Sequence, residues 1–365
     1  MATTLTRRAF VGLTMGAAFA EVGSLCDPTK QCWLGGPLSR TALARHVRAQ
    51  SNSNRRPDFA FSQYHNQTAE SSLHKRLVEM WAAIGTETGG RVETQVFALN
   101  NNIPGSDPQA LKMLAAGEIQ FFTVMGGILG TLVPSAEVQQ VPFAFRTAAE
   151  AHKAIDGPLG AHLREEMAAN GVHGFPVGGF DNGMRQITSV KRPIVVPADL
   201  KGIRMRVPAG QMIGDTFRAF GAEPVTTNSI DIHAALKSGK VDAQENPLAL
   251  AELFKLYEVV KYVSMTNHMW SGFNLIAHLP TWQKLPADIQ GVIDRNVTRY
   301  VRLQREDQQK MNDDMRGGLA RRGLVFNEVN PAPFRAQLAG FYATWKERLG
   351  AKTWSLLEAS SGRLG

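Results

Sequence analysis

Apolar and polar residues begin to alternate at Pro57, where the ordered part of the chain is expected to start. Asp58 to Tyr64 alternates with a period of two and predicts a strand. Ser71 to Ile84 has helical spacing, with Leu73, Leu77, Met80 and Trp81 on one face, and Gly89-Gly90 stops it. Arg91 to Leu99 alternates again. Asp107 to Ala116 predicts a short helix ended by Gly117, and Ile119 to Val124 is a nearly unbroken apolar strand. Strand, helix, strand, helix, strand is the pattern of an α/β lobe with a largely parallel sheet.

A second series follows the helical stretch from Thr147 to Asn170. Val172 to Phe180 and Met184 to Thr188 read as two strands, and Ile203 to Val207 as a third. Gly210 to Phe220 reads as a helix, Glu223 to Thr226 as extended, Ile230 to Lys237 as a helix and Val241 to Gln244 as a strand. The same order of elements predicts a second, similar lobe, although no repeat in the sequence proves duplication.

From Leu285 the pattern changes. A helix is expected to run without a breaker to about Arg316. Some thirty residues at a rise of ~1.5 Å each reach ~45 Å, more than one lobe, so it should brace both. Gly317-Gly318 is expected to interrupt it, with further helices in Pro331 to Leu349 and Lys352 to Ala359.

The chain has 365 residues, 44% hydrophobic and 20% charged, enough for a large core that divides into two lobes. A net charge of +8 fits a basic soluble surface or a protein that draws in anions, and does not separate the two. No dense Lys/Arg block is interleaved with aromatics, which argues against nucleic acid as a partner.

The N-terminus adds a compartment. Arg7, Arg8 and Phe10 precede a short apolar run, Leu13 to Ala20, that ends in Ala18-Phe19-Ala20. This resembles a twin-arginine export signal over residues 1–20. Residues 21–56 read as a polar leader or tether. Bulky Leu25 ahead of Cys26 argues against a lipoprotein. The only cysteines, Cys26 and Cys32, would close a small disulfide loop after export or be incidental thiols. No other segment has eighteen consecutive apolar residues, so the exported chain is not expected to span a membrane. These features predict a periplasmic location.

Catalytic signatures are missing from the sequence. It has no Gly-x-Ser-x-Gly elbow, no His-Glu-x-x-His and no phosphate loop, and the histidines lack metal-ligand spacing. No catalytic residue, metal or cofactor is therefore predicted. Gly126, in the run Gly126-Gly127-Ile128-Leu129-Gly130, either offers backbone N–H groups to an anion or packs a tight strand-to-helix turn. Tyr64, His65 and Asn66 follow the first strand, where loops at strand carboxyl ends carry ligands in open α/β sheets; they form a pocket wall or an ordinary polar loop. His268, in Thr266-Asn267-His268, shapes a hinge or pocket or is structural.

Two arginines on strands are more informative. Arg185 lies in Gly183-Met184-Arg185-Gln186, and Arg206 in Ile203-Arg204-Met205-Arg206-Val207. A guanidinium matches a carboxylate with two parallel hydrogen bonds, and a strand end holds it rigidly. Asn246, before Pro247, caps a helix or presents an amide to a ligand.

These stretches together resemble the substrate-binding subunits of tripartite ATP-independent periplasmic (TRAP) transporters, of the dicarboxylate-binding type. The resemblance covers roughly Phe59 to Leu357. It rests on Asp199-Leu200-Lys201-Gly202-Ile203-Arg204-Met205-Arg206-Val207-Pro208, Phe220-Gly221-Ala222-Glu223-Pro224-Val225, Gly239-Lys240-Val241-Asp242-Ala243-Gln244-Glu245-Asn246-Pro247 and Thr266-Asn267-His268. Ala243 stands where the family usually has Gly. The resemblance implies a two-lobed, type II-like periplasmic binding protein with a hinge and a central cleft, an organic acid ligand and membrane transporter subunits as partners. It places the main carboxylate arginine at Arg206, a second arginine at Arg185 and a ligand amide at Asn246. Lobe I is then 57–181 plus part of 272–311, and lobe II is 182–271 plus about 312–365. Trp270 and Asn274 fall where the chain crosses between lobes; Trp270 lines the pocket or packs the core. The fold analogy points to a monomer. The identity of the acid is not legible: two arginines serve two carboxylates, or one carboxylate and a hydroxyl or keto oxygen.

Overall fold

The computed structural model describes residues 56–364; the export signal, the leader up to residue 55 and both cysteines lie outside the described residues. The first lobe opens with β1 (Phe59–His65), α1 (Ser72–Glu87), β2 (Val92–Phe97), α2 (Ser106–Ala115) and β3 (Phe121–Met125). Ser71 caps α1 by accepting the His74 N–H, and the helix buries Leu73, Leu77, Met80, Trp81 and Ile84, the stripe its spacing predicts. The short helix α3 (Gly126–Leu129) follows β3 directly. The predicted helical stretch then divides into α4 (Ala148–Asp156) and α5 (Pro158–Ala169), because Gly157-Pro158 breaks the ladder.

The chain continues through β4 (Val172–Ser189), β5 (Arg204–Val207), α6 (Gln211–Ala219), β6 (Glu223–Thr226), α7 (Ile232–Lys237), β7 (Ala243–Asn246), α8 (Leu248–Leu253) and β8 (Tyr262–His278). It ends with α9 (Leu279–Gln283), α10 (Ala287–Arg321), β9 (Val325–Glu328), α11 (Pro331–Gln337), α12 (Ala339–Leu349) and α13 (Ala351–Ser361).

One nine-stranded sheet runs through both lobes in the order β2-β1-β3-β8-β4-β7-β5-β6, with β9 on β8. β1 is parallel to β2 and β3, and β5 is parallel to β6 and β7. The long antiparallel pair β4–β8 joins the two parallel sets, since β3 pairs with the carboxyl half of β8 and β7 with that of β4. The two strands read between Val172 and Thr188 are thus one. The polar break Asp181-Asn182-Gly183 is a bulge rather than a loop, and Gly183 takes it at φ +101°.

The strut is longer than expected. α10 has 35 residues and continues through Gly317-Gly318 to Arg321. Two glycines cost about 1 kcal/mol each in a helix, and burial of Leu319 in the second lobe's core offsets that. Ile293, Val297 and Val301 of the same helix sit in the larger core, so α10 braces both lobes. The C-terminal helices pack on more than one part of the fold. α13 packs on α4 and α5 of the first lobe, burying Trp354 and Leu357, with Thr353 bonded to His162 at 2.9 Å. α12 reaches both lobes: the Tyr342 hydroxyl donates to the Pro142 carbonyl, and Arg348 pairs with Asp215 on α6. Among the described residues, no helix is long and apolar enough to cross a membrane.

Candidate functional site

The carboxyl ends of β1, β3, β5, β6 and β7 converge on a cleft between the lobes. Ligand sites of open α/β sheets lie at such strand ends. Asn66, Asp107, Met125 and Ile128 line it from the first lobe, Asn182, Arg185 and Phe273 from the crossing strands, and Arg206, Thr227, Asn228, Ser229 and Asn246 from the second.

Arg206 is 2% exposed. Its Nε and Nη2 donate to the Thr227 carbonyl at 2.9 and 2.6 Å, which fixes the guanidinium plane. Among the described residues it forms no ion pair within 4.0 Å. Burial pulls it down to about 9; Glu245, Asp107 and Asp231 oppose that from a distance, and Arg185 adds to it. The group stays charged at neutral pH, buried and without a carboxylate in direct contact among the described residues. Alternation on β5 explains its placement: Met205 packs into the core, whereas Arg204, on the Arg206 face but nearer the surface, pairs with Asp242.

Arg185 is equally buried but fully engaged. It donates through Nε and Nη2 to the two carboxylate oxygens of Glu245, through Nη2 also to the Asn246 Oδ1 at 3.0 Å, and through Nη1 to the Ser271 Oγ at 3.1 Å. His268 closes the far side, Nε2 against Glu245 at 3.3 Å and Nδ1 against Thr266 at 2.8 Å. Burial alone would raise Glu245; the charge and hydrogen bonds of Arg185 hold it below the usual carboxylate range. Burial keeps His268 low. Asn246 donates to the Gln244 Oε1 at 2.6 Å, and Pro247, not Asn246, occupies the cap of α8.

On the opposite wall, Asp107 opens α2. Its oxygens accept from the Asn100 and Asn66 amides, both at 2.6 Å. Burial pushes it up, against those hydrogen bonds and the charge of Arg206. Nothing local marks Asp107 as a site residue, because an acid in the first turn of a helix normally serves the helix dipole.

The structure brings Arg206, Arg185, Asn246 and Asn66 to the cleft, and Gly126, Tyr64, His65, Trp270 and Asn274 elsewhere. Gly126 is needed for packing, since a Cβ there would meet the Ala136 carbonyl at 3.0 Å. Tyr64 stacks on Phe97 at 4.6 Å. His65 lies fully buried behind the cleft loop, bonded to His74 at 2.9 Å and accepting the Gln67 N–H at 3.2 Å. Burial and His74 drop it to about 3, so it stays neutral and orients the loop carrying Asn66. Trp270 is a core residue: its Nε1 donates to Asp181 at 2.9 Å and its ring covers Gly272. Asn274 donates to the Val124 carbonyl and borders a separate hollow with Ile155 and Phe175.

A second buried carboxyl group is equally silent in the sequence. Glu137, in the 3₁₀ segment Pro134–Gln140, reaches across to α6 and accepts the N–H groups of Met212 at 2.6 Å and Gln211 at 3.3 Å. Beside it Gly210, at φ +140°, packs against the Gly127 backbone. No residue-type spacing links Glu137 to α6, so only the fold reveals the contact.

Known proteins share the sequence pattern and the fold. The model of the bacterial extracellular solute-binding protein family 7 (DctP) matches residues 62–348. An uncharacterized protein of Sinorhizobium fredii is 35% identical over 209 residues, 57% of this chain and 38% of that protein. A solute-binding protein of Roseobacter denitrificans is 29% identical over 272 residues, 74% of this chain and 82% of that one. The crystal structure of a TRAP periplasmic solute binding protein from Polaromonas sp. JS666, bound to D-erythronate, is similar with a TM-score of 0.78 at 25% identity, covering 82% of this chain and 98% of that chain. The chain thus spans less than half of the first relative and most of the other two. The family match takes in both lobes, the crossing strands and every cleft residue named above, and by it this chain belongs to the bacterial extracellular solute-binding protein family 7.

Proposed function

We propose that this chain is the extracytoplasmic receptor of a TRAP-type transporter, binding a small organic acid and delivering it to the membrane subunits. The observation that carries the reading is Arg206, a buried guanidinium facing the cleft with a single carbonyl for a partner. An unpaired buried charge is costly, and an anion in the cleft relieves it. Thr227 takes the Nε and one Nη2 hydrogen. The end-on edge, Nη1 with the other Nη2 hydrogen, remains to grip a carboxylate with two parallel bonds. Because Thr227 already holds the plane, little ordering is left for the ligand to impose.

Closure of the lobes removes water from this ion pair and strengthens it. β4 and β8 are the hinge, being the strands shared by both lobes. Recognition by the membrane subunits then depends on the closed shape, as in ligand-driven domain closure generally. The receptor works outside the cytoplasmic membrane after export on the twin-arginine-like signal at Arg7-Arg8, as a monomer. Arg185 tunes the field of the cleft while Glu245 holds it; Asn246 and Asn66 offer amides to the ligand.

A thermal-shift screen of organic acids tests this. An acid at 100 times its Kd adds about 2.7 kcal/mol of stability. Absence of any shift across mono- and dicarboxylates of two to seven carbons would contradict the proposal.

A further inference from the structure

The cleft has a basic and an acidic residue set on opposite walls. Arg206 enters from the second lobe and Asp107 from the first, and both are buried. They do not pair with each other: among the described residues Asp107 forms no ion pair within 4.0 Å, and Arg206 acts on it only through space. Two amides occupy part of the Asp107 carboxylate, at 2.6 Å each. A carboxylate has about four acceptor positions, so others remain. Arg185 adds no second free cation, because Glu245 cancels it. The cleft therefore offers one free positive charge and, facing it, one carboxyl group whose oxygens act as acceptors.

We propose that Asp107 is the specificity-determining residue of this cleft, accepting a hydrogen bond from a ligand hydroxyl and repelling a second carboxylate, so that the receptor selects hydroxylated monocarboxylates over dicarboxylates. The inference rests on the reading of Arg206 as the carboxylate anchor. With one end of the ligand at Arg206, its far end lies toward Asp107. A hydroxyl there satisfies a buried acceptor that would otherwise lose water without return. A second carboxylate there sets acceptor oxygens against the acceptor oxygens of Asp107, with no donor between them, an arrangement that is disfavoured. An ammonium would also suit Asp107, but the remaining polar wall, Asn182, Asn228 and Ser229, donates as well as accepts, which suits hydroxyls.

Calorimetric titration of D-erythronate, D-gluconate and succinate into the purified chain tests this, alongside Asp107→Asn. At least one hydroxylated acid is expected to bind on the order of 100-fold more tightly than succinate. Asp107→Asn should weaken that acid by roughly 10-fold or more and bring succinate to within about 10-fold of it. Succinate binding as tightly as the hydroxylated acids overturns the proposal, and this wild-type ratio decides even if the variant does not fold. An unchanged ratio in a folded Asp107→Asn also overturns it, as does 4-aminobutyrate binding more tightly than the hydroxy acids. Tight succinate binding that is lost in Arg206→Ala sinks only the role of Asp107; no binding by any carboxylate sinks the anchor as well.

Discussion

Arg185 and Glu245 satisfy one another inside the protein: the guanidinium meets both carboxylate oxygens, one at 2.6 Å, and neither side chain is more than 1% exposed. The pair bridges β4 and β7, with His268 behind it on β8. Its consequence for the cleft is subtractive. Of two arginines, the one on β4 is already neutralised and only Arg206 carries charge to spare.

Removing one member of a buried pair strands the other. Arg185→Ala should therefore cost about 3–5 kcal/mol of folding stability. The double variant Arg185→Ala/Glu245→Ala should cost less than the sum of the two single changes. Urea denaturation of the four proteins measures the coupling, and additive losses would show that the pair does not act as a unit.

Glu137 gives the protein a pH dependence of definite sign. Burial, the first of its causes, and the nearby Asp215 raise it to about 7 from an ordinary 4.5, against the N–H groups of Met212 and Gln211 and the charge of Arg348. Between those values the folded chain holds a proton that the unfolded chain has released. The contribution is therefore full below pH 4.5 and is lost as pH rises through about 7, on the order of 3 kcal/mol. Glu137→Gln should remove that slope. Melting curves from pH 4 to 8 for both proteins test it; parallel profiles would mean that Glu137 does not titrate in this range.

Trp270 shows what the sequence left open. Its ring lies against Gly272 and its Nε1 bonds to Asp181. Trp270→Phe should cost about 1–3 kcal/mol of stability by stripping Asp181 of a buried donor. Ligand affinity should change by no more than a few-fold. A large affinity loss with intact stability would return Trp270 to the ligand wall.

How far the sequence carried the reading follows from where each signal resides. The α1 stripe from Leu73 to Ile84 and the parallel strands were legible because burial imposes a period. The unity of β4 was not, because Asp181-Asn182-Gly183 carries the composition of a loop and only its pairing with β8 makes it a bulge. Gly317-Gly318 misled for the reverse reason: tertiary burial of Leu319 outweighs a local helix penalty. At the site, Arg206 and Arg185 looked alike as strand arginines. What separates them is a partner, Glu245, sixty positions from Arg185, and no local pattern encodes that. Asp107 was hidden by its ordinary place in a helix's first turn.

The free edge of Arg206 is the proposed grip on the ligand. The most direct measurement is calorimetric titration of wild type, Arg206→Ala and Arg206→Lys with whichever acid gives the largest thermal shift. Arg206→Ala should lose about 2–5 kcal/mol of binding, and Arg206→Lys should also bind poorly because a point charge cannot supply the planar fork. Wild-type affinity in a folded Arg206→Ala protein would contradict the account.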